Sequence, residues 1–97
     1  MLRLRVRQLA RAEINVAFSW YLVRSPQAAA RFLDAVDAAI KSIENSPRRH
    51  AVIHGKLRRV LLAGFPYAVY YKHYPRVISV VGVIHGRRHP SVWLRRG

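Results

Sequence analysis

Ser25-Pro26 falls in the middle of a long stretch whose apolar residues recur at helical spacing. Serine suits a helix N-cap, and proline suits the first helical position, where its missing N–H is no loss. One helix therefore stops and a second starts almost at once, which predicts an antiparallel helix hairpin with a tight turn. The first helix runs from about Gln8 to Arg24, with Ala10, Ile14, Ala17, Phe18, Tyr21 and Leu22 on its core side. The second carries Ala29, Phe32, Leu33, Val36, Ile40 and Ile43 as a core stripe, with Arg31, Asp34 and Lys41 opposite. Asn45-Ser46-Pro47 ends it.

On either side the period changes to two. Leu2-Arg3-Leu4-Arg5-Val6-Arg7 alternates apolar and basic, which predicts a half-buried strand with Leu2, Leu4 and Val6 inward. After a loop from His50 to Gly55, the stretches Lys56–Leu62, Tyr67–Lys72 and Val77–His85 read as strands. Ala63-Gly64 and Tyr74-Pro75-Arg76 separate them as turns. The last strand is the most apolar and is rich in β-branched residues, so it belongs in the middle of a sheet. Gly82 inside it predicts a bulge or the close approach of another group. The tail from Gly86 to Gly97 is basic. Strand, helix, helix and three strands predict a two-layer α+β domain spanning residues 1–97, with the hairpin on one face of a largely antiparallel sheet. Its expected core includes Ile14, Phe18, Phe32, Val36, Ile40, Val69, Val81 and Val83.

Charge narrows the partners. Lys and Arg number 18 against 4 Asp and Glu, a formal net charge of +14, yet 52% of the chain is hydrophobic. That apolar fraction excludes a disordered polycation, and the charge favours polyanionic partners. There is no cysteine, which excludes a disulfide scaffold, a zinc knuckle and a thiol nucleophile. No apolar run approaches the roughly 20 residues of a membrane span. Arg3, Arg5, Arg7 and Arg11 interrupt any signal-peptide pattern, so the expectation is a soluble cytoplasmic protein that leaves membranes alone.

The residues suited to chemistry cluster late in the chain. Lys56 and Arg58 share one face of the second strand, and Leu57, Arg59 and Leu61 the other. Ile84-His85-Gly86-Arg87-Arg88-His89 closes the last strand. A surface of Lys56, Arg58, His85, Arg87 and Arg88 would suit phosphate, which guanidinium groups bind in a planar bidentate way. A solvated basic face without a critical residue is the alternative. His50 and His54, like His85 and His89, have the spacing of a helical metal pair. Neither pair is on a helix or near a carboxylate in sequence, so no metal or cofactor is expected. Tyr67 and Tyr71 share a face with Val69 and are expected in the core, whereas Tyr70 points the other way and is a candidate contact. Trp20 and Trp93 are expected to anchor packing or an interface. Glu13, Asp34, Asp37 and Glu44 all fall in the helices, away from the basic strand ends, so no carboxylate pair for acid–base work is visible.

Several of these segments together resemble the RelE/ParE superfamily of toxins. Trp20-Tyr21, Ser25-Pro26, Ala29-Ala30-Arg31-Phe32, Ala39-Ile40 and Ser46-Pro47 resemble its helical hairpin. Leu57-Arg58-Arg59-Val60, Gly64-Phe65-Pro66-Tyr67 and Tyr71 resemble its central strands, and Val83-Ile84-His85-Gly86-Arg87-Arg88 its last strand and turn. The resemblance runs from about Leu4 to Trp93. It implies the toxin of a type II toxin–antitoxin pair, a first strand beside the last, and an acidic, partly disordered antitoxin bound in a hetero-oligomer. RelE-like members cleave messenger RNA on the ribosome, whereas ParE-like members inhibit DNA gyrase. The late tyrosine or sheet glutamate of the nucleases has no match, because no Tyr follows Tyr74 and no Glu follows Glu44. The resemblance is therefore closer to ParE, with Arg58, His85, Arg87 and Arg88 as target-binding residues and Lys56, Tyr70 and Trp93 as further contacts. The alternatives are a ribosome-dependent nuclease using His85, Arg58 and Arg87 as catalytic residues, and a degenerate toxin that only binds antitoxin.

Overall fold

The computed structural model describes residues 3–97; the expected inward Leu2 lies outside them. The chain runs β1 (Arg3–Val6), α1 (Gln8–Arg24), α2 (Pro26–Asn45), β2 (Val52–His54), β3 (Leu57–Leu61), β4 (Tyr67–His73), β5 (Val77–His85) and α3 (Ser91–Leu94). The five strands lie in the order β1-β5-β4-β3-β2. β1 pairs with β5 in parallel and the other pairings are antiparallel. This is the expected α+β architecture, with two elements added. Part of the loop before Gly55 pairs with β3 as the short edge strand β2, and Gly55 turns the chain at φ 55°. The tail forms α3 because Val92 and Trp93 have an apolar surface to pack on. Among the described residues no helix is long and apolar enough to cross a membrane.

Ser25 makes the helix turn in a single residue. Its N–H closes α1 on Tyr21 O at 2.7 Å, and its hydroxyl accepts from Ala28 N at 3.2 Å to open α2. Arg24 donates to Trp20 O at 2.8 Å, satisfying a free carbonyl at the end of α1. Ala10 and Ala17 are buried and Ile14, Phe18 and Tyr21 half-buried against the sheet. From α2, Ala29, Phe32, Val36, Ala39 and Ile43 are buried. Phe32 meets Tyr21, Phe65 and Tyr67 at ring distances of 5.4–5.5 Å, in the geometry aromatic pairs favour. Leu22 and Leu33, expected in the core, are exposed at 45% and 41% because each lies at the margin of its helix stripe.

The sheet buries both faces. Val69, Tyr71, Ile78, Val80 and Val83 meet the helices, while Leu57, Ala68, Tyr70 and Ile84 form a second cluster on the outer face, under Val92 and Trp93. Val81 belongs to this outer cluster, not to the helix-side core expected for it. The reason is a bulge. Tyr71 pairs with Val80 and Tyr70 with Gly82, so Val81 is the extra residue and the alternation shifts.

The bulge also redirects the backbone at the β5 edge. β1 ends at Val6, and beyond it Val81 O and Val83 N would face no strand. Arg96 Nη1 donates to Val81 O at 3.1 Å, and Val83 N donates to Glu13 Oε1 at 3.0 Å. Arg96 and Glu13 close the arrangement with two hydrogen bonds of 2.8 and 3.0 Å. A methyl group on Gly82 would stand 2.6 Å from Arg96 Nη1 and 3.1 Å from Ile84 Cδ1, so a side chain here would push the guanidinium off its bonds to Val81 O and Glu13. Phe32→Ala should destabilise by about 3–5 kcal/mol in urea unfolding. Gly82→Ala should cost about 1–3 kcal/mol, and less in an Arg96→Ala background where the closest clash is gone.

Candidate effector surface

β5 ends at His85, whose ring stands edge-on to Tyr67 with centroids 5.0 Å apart. The chain then turns: Gly86 N donates to Pro66 O at 2.8 Å and Arg88 N to His85 O at 3.0 Å. Arg87 N donates to His85 Nδ1 at 3.0 Å. That bond requires a lone pair on Nδ1, so a neutral His85 carries its proton on Nε2 and faces its surroundings as a donor. Arg87 and Arg88 are exposed on either side of it.

His85 forms the ridge between two depressions of about 320 Å³ each. One lies on the outer side, lined by Leu61, Leu62, Phe65, Tyr70, Arg59 and Arg87 among others. The other lies between α1 and the upper part of β5, where Leu9, Val16, Val83 and Arg88 meet Glu13. Arg59, and not Arg58, is thus the β3 arginine that shares a depression with Arg87. Period-2 alternation alone places Arg59 and Arg58 on opposite faces, and that alternation is the sequence signal that separates them.

Arg58 lies elsewhere. It sits opposite Tyr71, four residues along β4 from Tyr67, the partner of His85. That is about 13 Å along the strand at roughly 3.3 Å per residue. Its Nη1 donates to Arg48 O at 3.0 Å and His50 O at 2.7 Å, tying down the loop after α2. Tyr71 holds the same loop by donating to Pro47 O at 2.6 Å, and burial pushes its phenol pKa up. Lys56 is at this end too, 5.1 Å over the Tyr74 ring. The structure therefore brings together His85, Arg87 and Arg88 and separates them from Arg58 and Lys56. Tyr70 is a correction: it is only 2% exposed, stacked under half-buried Trp93 at 6.1 Å. Outer-face placement was expected for it; the α3 cover was not. Glu13 is a second correction, since it lies beside this strand end and not away from it, with both oxygens bonded to Arg96.

The chain thus carries a basic, partly apolar rim at one end of a five-stranded sheet covered by a helix hairpin. The description "ParE toxin of type II toxin-antitoxin system, parDE" matches residues 4–90, and the chain belongs to this ParE toxin family. No curated protein matches the chain by sequence. Among solved structures, the chromosomal ParDE toxin–antitoxin system from P. aeruginosa superposes with a TM-score of 0.77 at 16% identity, covering 88% of this chain and 96% of that one. It shares the fold.

His73, at the Arg58 end, gives a pH prediction. Partial burial, then the charges of Arg48 and Arg58, hold its pKa below 6.5. Between the folded value and 6.5 the unfolded chain binds a proton that the folded chain refuses. The stabilisation is therefore complete above pH 6.5 and lost as pH falls through the folded value. Urea midpoints compared at about pH 7.5 and 5.5 should fall less for His73→Gln than for the wild type. An equal fall in both would remove His73 as the cause.

Proposed function

We propose that the protein is a toxin that inhibits DNA gyrase by binding it through His85, Arg87 and Arg88, and that an acidic antitoxin neutralises it in the cytoplasm. The observation that carries this reading is the commitment of the nearby proton acceptors. His85 Nδ1 accepts from Arg87 N, and both oxygens of Glu13 are held by Arg96. Cleavage of RNA by attack of a ribose hydroxyl needs a general base, whereas docking through arginine does not. Family membership supports the toxin role. The displacement of Arg58 from the His85 turn weighs against the nuclease alternative, which needs both on one phosphate.

The antitoxin reading rests on charge and on α1. Leu9, Val16, Trp20 and Val23 are 53%, 72%, 51% and 84% exposed, an outward apolar stripe beside the Arg88 groove. A chain of net charge +14 suits an amphipathic acidic segment laid along that stripe.

Purified wild type should inhibit supercoiling by gyrase and leave ribosome-bound messenger intact. Arg87→Ala should lose that inhibition, and growth inhibition with it, by at least about tenfold, with an unchanged unfolding midpoint because the side chain is exposed. Messenger cuts by the wild type that disappear in His85→Ala would establish the nuclease instead. Binding of antitoxin without any effect of the free protein on growth would establish a degenerate toxin.

A further inference from the structure

The alternating arginines of β1 take no part in the surface described above. Leu4 and Val6 face the helix-side core, so Arg5 and Arg7 face outward. There they line a depression of about 250 Å³ with Lys72 and Tyr74. Tyr74 also lines the next depression, of about 470 Å³, together with Lys56, Arg58 and Arg48. Arg48, His73 and Pro75 are shared in turn with a third, of about 630 Å³, at the end of α2. The two shared borders join the three depressions into one trough around the end of the sheet remote from His85. Among the described residues, its lining includes no carboxylate.

We infer that this trough is a second binding site, for the phosphodiester backbone of a nucleic acid. Seven cations, Arg5, Arg7, Lys72, Lys56, Arg58, Arg48 and Arg49, line it. A single anion needs one such depression; a row of three with shared walls fits a polymer with charge repeated along its length. The positive potential is not relieved by any carboxylate in the lining, and His73, whose pKa is lowered first by burial and then by Arg48 and Arg58, adds no opposing charge. Tyr74 is half-buried with Lys56 over its ring, so the trough offers charge and little aromatic face for bases. Binding is therefore through the backbone and tolerant of sequence. This site does not depend on which target the His85 turn meets.

The test is fluorescence anisotropy of the full chain with a labelled 20-base-pair DNA duplex and a 20-nucleotide RNA across a salt series. Arg5→Ala and Lys56→Ala are compared with Arg31→Ala and Arg11→Ala, which remove the same charge from exposed helix positions outside the trough and outside the His85 turn. Circular dichroism confirms that each variant folds. Each trough variant should weaken binding at least about threefold more than the controls. It should also lower the salt slope by about 0.9 for duplex and 0.7 for single strand. Equal losses in all four variants would reduce the effect to net charge and overturn the site. Displacement by inorganic phosphate at millimolar concentration would show a single-anion pocket in place of a polymer trough. Equal competition by polyglutamate at matched charge would assign the trough to an acidic polypeptide; both results overturn the inference.

Discussion

β1 is four residues long and β5 nine, so a parallel pair of these two strands leaves part of the β5 edge bare. The Glu13–Arg96 pair fills that gap. Its two members hold Val81 O and Val83 N in place of a strand, and hold each other, across a separation of 83 residues. Exposed strand edges invite unwanted pairing, and a side-chain substitute blunts one without a sixth strand. Much else follows from it. α1 is fastened to the strand that ends at His85, the tail is drawn over the outer face, and Trp93 is set on Tyr70. The bulge at Val81 and the glycine at 82 are the backbone's share of the same arrangement.

The two ends of the sheet consequently differ in chemistry. At the β5 terminus, charge is mixed with apolar surface: Arg87 and Arg88 flank Leu61, Phe65, Leu9 and Val16. Such a surface suits a protein partner, where arginine beside apolar contacts contributes most. At the far end, Arg58 and Tyr71 hold the 47–50 loop, and Arg58 and its neighbouring cations face a trough whose lining, among the described residues, includes no carboxylate. The high net charge thus has two physical forms in one small chain, one adapted to docking and one to long-range attraction.

Much of the fold was legible because it rests on local rules. Ser25-Pro26 set the hairpin, the period-2 arginines set β1, and Gly82 announced a close approach. What could not be read depends on the pairing of distant residues. Glu13 and Arg96 carry no sequence signal of their partnership. Tyr70 could be placed on the outer face by alternation, but its cover by Trp93 needs the tail to fold back. Val81 and Arg58 show the two ways a surface estimate fails. A bulge shifts the alternation in one case, and register moves a residue about four positions down the sheet in the other. The candidate site was legible where it was contiguous, from His85 to Arg88, and not where strands had to bring residues together.

The account depends most directly on Glu13 and Arg96 acting as one unit. A double-mutant cycle built from Glu13→Gln, Arg96→Gln and the double variant, followed by urea unfolding, measures their coupling. The pair is bidentate and only 15% and 18% exposed, so the coupling energy should reach about 1–3 kcal/mol, with the double variant less destabilised than the sum of the singles. Additivity within about 0.5 kcal/mol would show that the edge of β5 and the placement of the tail are held by something else.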